Sequence, residues 1–122
     1  FIAPDESYLI FTSHGWGHRA GRGDLFISYR KKDDSWTRAR HLGEDINSNS
    51  ADMCPTVTQD KKYLFFSSMR VSEDYDPNPV ISYQQLLDNF NKPQNRKMDI
   101  YWVDGGIVDT FKPLYLKTES DD

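Results

Sequence analysis

The sequence predicts an all-β fold made of two copies of one antiparallel four-stranded unit. Residues 3–13 (APDESYLIFTS) and 58–68 (TQDKKYLFFSS) are similar, and their tyrosines lie 55 positions apart (63 minus 8). A repeat of this length indicates one supersecondary unit that is used twice. Aromatic residues make up 14% of the chain, and aromatic side chains favour strands. We therefore expect each segment to form the second strand of its unit.

The first unit is predicted to occupy residues 1–43. Its strands are expected at residues 1–4, 7–13, 24–30 and 35–42. A turn through Pro4, Asp5 and Ser7 separates the first two strands, because these residue types favour turn geometry. The charged run 31–34 forms the next hairpin turn, and the last strand carries Trp36.

A polar linker at 44–53 leads to the second unit, which is predicted at residues 54–122. Its strands are expected at residues 54–58, 62–68, 99–104 and 111–117. Phe111 takes the place of Trp36 in the last of them. The third strands are 75 positions apart (99 minus 24). The second unit therefore contains an insertion of 20 residues (75 minus 55), which we place at about 69–97.

The insertion is predicted to contain one short helix. Tyr83, Leu86, Leu87 and Phe90 recur at the spacing of a single helical face. Ser82 and Gln85 fit a capping box at its start, and Asn91 and Pro93 close the segment. We expect about two and a half turns, with the apolar face packed on its own unit.

Composition excludes several classes of protein. The net charge of −4 argues against a dedicated nucleic-acid-binding protein. No apolar run approaches the ~20 residues of a membrane-spanning helix, and these residues do not show the pattern of a signal peptide. Cys54 is the only cysteine, so an internal disulfide is impossible, and we expect it to be a small buried residue. Because Phe1 already belongs to a predicted strand, we expect a longer parent chain.

These segments resemble the WD40-like β-propeller repeat of the Pro-Asp type, which occurs in TolB-like proteins. That repeat has the pattern Ser-Pro-Asp-Gly-Lys-x-Leu-x-Phe-x-Ser, then a glycine-rich loop and an Asp-hydrophobic-Tyr strand. Residues 3–13 with 23–26, and 58–68 with 99–101, follow it. Residues 35–48 (SWTRARHLGEDINS) also resemble its Trp-x-x-x-x-x-Leu-Gly-x-x-Ile-Asn connector. The chain departs from the pattern at Gln59, where proline is usual, and in the long insertion.

The resemblance implies two four-stranded β-propeller blades and a non-catalytic binding or scaffold module of an exported bacterial protein, periplasmic or at the cell surface. Two alternatives are a metal-dependent propeller related to sugar-acid lyases and a propeller domain attached to a peptidase. No cofactor is expected. Two blades leave sheet faces uncovered, which soluble monomers avoid. We therefore expect either a larger chain or self-association.

In a four-stranded meander, segments 14–23, 43–53 and 69–97 share one side, and loops on a rigid scaffold often bind ligands. Trp16, Arg19 and Arg22 suit an anionic or saccharide ligand. His14 and His18 are possible metal ligands, which His41 and Asp24 could approach, but the intervening glycines disfavour helical convergence. The simplest interpretation of residues 14–23 is a solvated loop. The partner that we expect on this side of the molecule is a protein or a saccharide.

Asp24 also belongs to an Arg-Gly-Asp tripeptide, which is found in adhesion proteins. Such a tripeptide recurs by chance. We expect Asp24 and its counterpart Asp99 to make hydrogen bonds at the starts of their strands instead.

Overall fold

The computed structural model describes residues 1–14 and 22–118, which are mostly β-structure. They form two three-stranded antiparallel sheets, ordered β1-β2-β3 and β4-β5-β6, with a few short helices. The strands are β1 (Tyr8–Ser13), β2 (Asp24–Tyr29), β3 (Arg40–His41), β4 (Asp52–Val57), β5 (Tyr63–Ser68) and β6 (Asp99–Asp104). The helices are α1 (Tyr83–Asn91), α2 (Ile107–Thr110) and α3 (Leu114–Lys117).

The two sheets repeat the same strand pair in the same register. Ser13 at the end of β1 faces Asp24 at the start of β2, and Ser68 at the end of β5 faces Asp99 at the start of β6. β1 and β5 start 55 positions apart, and β2 and β6 start 75 positions apart. The predicted pairing of these strands is confirmed.

Each sheet has three strands rather than the four that we expected. Residues 1–4 form only one isolated bridge, between Ile2 and Leu9. Of the strand predicted at 35–42, only β3 forms, because the side chain of Thr37 interrupts the backbone ladder with β2. The hydroxyl oxygen of Thr37 accepts a hydrogen bond from the backbone N–H of Tyr29 at 3.0 Å.

The prediction of a strand at residues 111–117 is wrong. Those residues end α2 at Phe111 and then form α3, for which Pro113 is the N-terminal cap. Proline has no N–H to donate to a strand ladder, whereas the first turn of a helix does not need that donor. The chain leaves β6 through a turn at Gly105 and Gly106 and turns helical at once.

Cys54 is exposed, so the prediction that it is buried is also wrong. The register of β4 against β5 shifts between Met53 and Thr56, which marks a β-bulge. Cys54 has a φ of 56° there, and Pro55 has no N–H for pairing. The bulge turns the thiol away from the core.

Helix α1 is confirmed at the predicted place. Its N-cap Ser82 accepts a hydrogen bond from the backbone of Gln85, and the Gln85 side chain accepts one from the backbone of Ser82. The expectation that its apolar face packs on the unit is wrong, because no residue of α1 is buried. Tyr83 and Phe90 remain 76% and 61% exposed.

The hydrophobic core lies between the two sheets, where β4 packs against β1 and β2. Tyr8, Ile10, Leu25 and Ile27 share one face of the first sheet by their register. We call these four residues the first inner face. The hydroxyl of Thr12, on the same side of β1, donates to the carbonyl oxygen of Asp52 in β4 at 3.3 Å. Opposite this face lie Val57, Leu64 and Phe66 of the second sheet.

The linker between the sheets is bound to the first sheet by the residues of the connector motif. Leu42 and Ile46 are buried in the core. The Asn47 side chain accepts a hydrogen bond from the N–H of Leu25 at 2.6 Å and donates one to its carbonyl oxygen at 3.0 Å. Asn47 thereby bonds to both backbone groups of Leu25 as a residue on a neighbouring strand would. These bonds hold the linker against the first sheet.

Candidate functional site

The ends of the strands gather the irregular segments along one edge of the molecule. The N–H of Asp52 at the start of β4 donates to the carbonyl oxygen of Gly23, just before β2, at 2.9 Å. Met69, which follows β5, donates its N–H to the carbonyl oxygen of Ala51 in the linker at 2.9 Å. We call this edge, with the segments after β1 and β5 and the linker before β4, the loop face. The prediction that these segments share one side is confirmed within the described residues.

Of the predicted site residues, the structure brings His41 and Asp24 together. The backbone N–H of Gly43 donates to Nδ1 of His41 at 3.1 Å. In a neutral imidazole the proton is then on Nε2, which lies 3.1 Å from Oδ2 of Asp24. The other oxygen of Asp24, Oδ1, is buried with no hydrogen-bond partner among the residues that the structure describes. The pair holds β3 to the start of β2, as expected for a strand-start aspartate.

The remaining predicted site residues are exposed or lie outside the residues that the structure describes. His14 and Arg22 are exposed, and the ring of His14 lies beside Gly23. Trp16, His18 and Arg19 lie outside the described residues. Within 1–14 and 22–118, no group of three or more His, Cys, Asp or Glu side chains is placed to hold a metal ion.

Asp99 also makes a hydrogen bond at the start of its strand, as expected. Its Oδ2 accepts the backbone N–H of Gln94 at 3.0 Å, so the returning end of the insertion is fixed to β6.

The strongest polar contacts on the loop face belong to Arg70, which the sequence did not indicate. Nη2 of Arg70 lies 3.3 Å from Oδ1 of Asp52 and donates to the carbonyl oxygen of Ile46 at 2.6 Å. Its Nε donates to the hydroxyl of Ser68 at 2.9 Å. Asp52 is fully buried and also accepts hydrogen bonds from the N–H and hydroxyl of Ser48. The pair therefore ties the linker to the start of β4 and the end of β5.

Aromatic rings complete the environment of Arg70. Its guanidinium carbon lies 4.6 Å from the ring centre of Tyr101 and 5.3 Å from that of Phe66, within cation–π range. Burial raises the pKa of the Tyr101 phenol, and the Asp99 carboxylate raises it further. The ion pair and the rings make a rigid support for the loop face. The repeat gave no signal for it, because the position 55 residues before Arg70 is Gly15.

A second concave region lies at the opposite edge, where the strand turns of the two units meet. It is a cleft of about 240 Å³. Asp5 and Lys61 approach within 3.6 Å at its margin. The Ser7 hydroxyl and N–H hold the pKa of the Asp5 carboxyl below its usual value by donating to it. The Tyr29 hydroxyl donates to the carbonyl oxygen of Val108 at the base of the cleft, so this region fixes α2 to the first sheet.

Comparisons of the chain with protein-family models, with curated proteins and with solved structures found no significant match. No helix within residues 1–14 and 22–118 is both long enough and apolar enough to cross a lipid bilayer.

Proposed function

We propose that this chain is a non-catalytic scaffold module: two consecutive units of a β-propeller from an exported bacterial protein, which binds a protein or saccharide partner on the loop face. The observation that supports the proposal most is an exposed apolar face on the second sheet. Tyr63, Phe65, Ile100 and Trp102 share that face by their register, and we call them the second outer face.

The second outer face occupies the repeat positions of the first inner face. Tyr63 and Phe65 lie 55 positions after Tyr8 and Ile10, and Ile100 and Trp102 lie 75 positions after Leu25 and Ile27. The four residues of the first inner face are buried by the second sheet. Their counterparts Ile100 and Trp102 are 76% and 62% exposed.

This equivalence describes a head-to-tail arrangement, because one face of a unit packs on the opposite face of the next unit. Such interfaces continue until a ring closes or a filament forms. Tyr63 and Trp102 are already in edge-to-face contact, with ring centres 5.1 Å apart. A third unit of the same kind would cover these rings as the second sheet covers Tyr8 and Ile10. The loop face lies at the strand ends and stays accessible in such a stack.

The test is the association state of the isolated chain, measured by light scattering across a range of protein concentrations. The wild type is expected to self-associate because the second outer face is uncovered. Replacing Ile100 and Trp102 by Glu should shift it to monomers with an unchanged circular dichroism spectrum. Leu114→Glu is the matched control, because Leu114 is 78% exposed but belongs to α3. A wild-type chain that stays monomeric at all concentrations would contradict the proposal.

A further inference from the structure

The insertion encloses a cavity of about 300 Å³ between α1 and the segments before and after it. Pockets for small ligands begin at about this volume and are lined mostly by apolar and aromatic side chains, with a few polar groups. The apolar part of the wall consists of Tyr75, Pro77, Pro79, Ile81, Leu86, Phe90 and Pro93. The cavity lies in the one long segment that the first unit does not contain.

The walls of the cavity are fixed before any ligand arrives. The N–H of Ser72 donates to the carbonyl oxygen of Gln94 at 3.0 Å, and Val71 forms a bridge with Asn95. The Asn95 side chain donates to the carbonyl oxygens of Asn89 and Phe90 at the end of α1, at 3.1 and 2.8 Å. Three prolines in the wall restrict the backbone further. Little conformational entropy is therefore lost when a ligand enters.

The charged groups of the wall divide into two sets. The acidic set already has partners in its own loop. Oδ1 of Asp76 accepts the N–H of Asn78 at 2.8 Å. The hydroxyl of Ser72 lowers the pKa of the Asp74 carboxyl by donating to it. The acidic groups are thus used to shape the loop.

The basic set of the wall is Lys92 and Lys97. The ammonium of Lys97 lies over the ring of Phe90. Lys92 donates one long hydrogen bond of 3.4 Å to the amide oxygen of Asn89, and its charge also lowers the pKa of the Asp74 carboxyl. An ammonium has three N–H donors, so both side chains retain donors for an anion.

We propose that this cavity binds a small organic anion that has an apolar or aromatic body and a carboxylate head. Tyr75, Leu86 and Phe90 contact the body, and Lys92 and Lys97 hold the carboxylate. The inference goes beyond the proposed function, because such an anion is neither the protein nor the saccharide partner proposed for the loop face. It does not depend on how units stack, because no residue of the second outer face lines the cavity.

The test compares three probes that share one body, each titrated into the full chain by calorimetry: 3-phenylpropanoate, 3-phenylpropan-1-ol and 3-phenylpropan-1-amine. The carboxylate is expected to bind saturably. The alcohol should bind about 10- to 100-fold more weakly, because it loses hydrogen bonds to charged donors. The amine should bind more weakly still, because it brings a like charge toward two ammonium groups.

Variants distinguish this cavity from adventitious binding. Replacing Lys92 and Lys97 by Gln should remove the preference for the carboxylate over the alcohol, with little effect on folding because both lysines are exposed. Lys61 and Lys112, at the opposite edge, are the matched controls, and their Gln variants should bind as the wild type does. Absence of saturable binding, equal binding of the alcohol, or an unchanged preference in the Lys92/Lys97 variant would overturn the proposal.

The same titration on the chain with Glu at positions 100 and 102 separates the two proposals. Retained carboxylate binding by that chain would support a ligand site that is independent of stacking. Lost binding in a folded chain would overturn that independence and place the site between copies.

Discussion

Replacing Arg70 by Ala should be among the most destabilising single changes on the loop face. The substitution leaves the fully buried carboxylate of Asp52 without its ion-pair partner, and it leaves the carbonyl oxygen of Ile46 without its 2.6 Å donor. Removing one partner of a buried pair typically costs about 3–5 kcal/mol. The Arg70 side chain is 21% exposed, which places the expected loss near the lower limit, at about 3 kcal/mol.

Arg30→Ala provides the matched control, because Arg30 also forms two ion pairs but on the surface. Its partners Glu6 and Asp34 have side chains that are 60% and 78% exposed. Exposed pairs contribute about 0–1 kcal/mol. The ratio of the two losses therefore tests whether burial of Asp52, rather than the number of charges, decides the contribution of Arg70.

Urea unfolding followed by circular dichroism measures both losses. A loss of about 3 kcal/mol lowers the urea midpoint by roughly 1–3 M at the denaturant slopes of small domains. A double variant, Arg70→Met with Asp52→Asn, should lose less stability than the sum of the losses of Arg70→Met and Asp52→Asn, because it removes both charges together. The reasoning is refuted if Arg70→Ala costs no more stability than Arg30→Ala. It is also refuted if the losses of Arg70→Met and Asp52→Asn simply add in the double variant.

Three further predictions concern individual contacts of the backbone and of buried side chains. Asn47→Ala leaves the buried N–H of Leu25 without its partner, whereas the Leu25 carbonyl oxygen keeps the N–H of Leu42 at 3.1 Å. Thermal unfolding should show a loss of about 1–3 kcal/mol, and no measurable loss would contradict the pairing. Burial raises the pKa of the Tyr29 phenol. The stabilisation by this buried neutral hydroxyl is therefore complete below the unfolded pKa of about 10 and is lost as the pH rises above that pKa. Tyr29→Phe should weaken the decline of the urea midpoint at alkaline pH, and an unchanged decline would contradict this. A Cβ at Gly105 would lie 2.1 Å from the backbone oxygen of Lys61, whereas one at Gly106 would lie 3.0 Å from the movable side-chain oxygen of Asp104. Gly105→Ala should therefore lower the melting temperature more than Gly106→Ala. Equal melting temperatures would refute this close approach of Gly105 to Lys61.

The sequence predicted the central strands and the inserted helix correctly because their signals are local and repeated. The repeat offsets located β1 with β5 and β2 with β6 within a residue or two. The capping box at Ser82 located the start of α1, because it depends only on residues within one turn. The role of Asn47, whose side chain bonds to both backbone groups of Leu25, was not predicted.

The outer strands could not be predicted in this way because their local signals conflict with the repeat. Reading Phe111 as the counterpart of Trp36 gave weight to the repeat and too little to Pro113, which has no N–H for a ladder. The exposure of α1 was missed for another reason. An amphipathic pattern predicts that a helix has an apolar face, but it does not specify what covers that face.

Arg70 was missed because its role depends on long-range contacts. Its partners Ile46 and Asp52 lie 24 and 18 positions earlier in the chain, so no local spacing relates them to it. Residue type likewise suggested the candidate metal ligands. Among those that the structure describes, the topology brings together His41 and Asp24.

The second outer face lies on the second sheet and the cavity lies in the insertion beyond its strands, which makes the two proposed interactions separable. Strand side chains stand perpendicular to the sheet, so Ile100 and Trp102 point out from the uncovered face of the second sheet, whereas Lys92 and Lys97 lie in the segment beyond the strand ends. Within the part of the chain that the structure describes, Lys92 and Lys97 donate hydrogen bonds to Asn89 and Asn95, which do not belong to the second outer face. Substitutions at distant sites without shared partners usually add. We therefore expect a chain that carries both sets of substitutions to lose carboxylate binding and self-association to the same extent as the separate variants, and a non-additive result would show that stacking shapes the cavity.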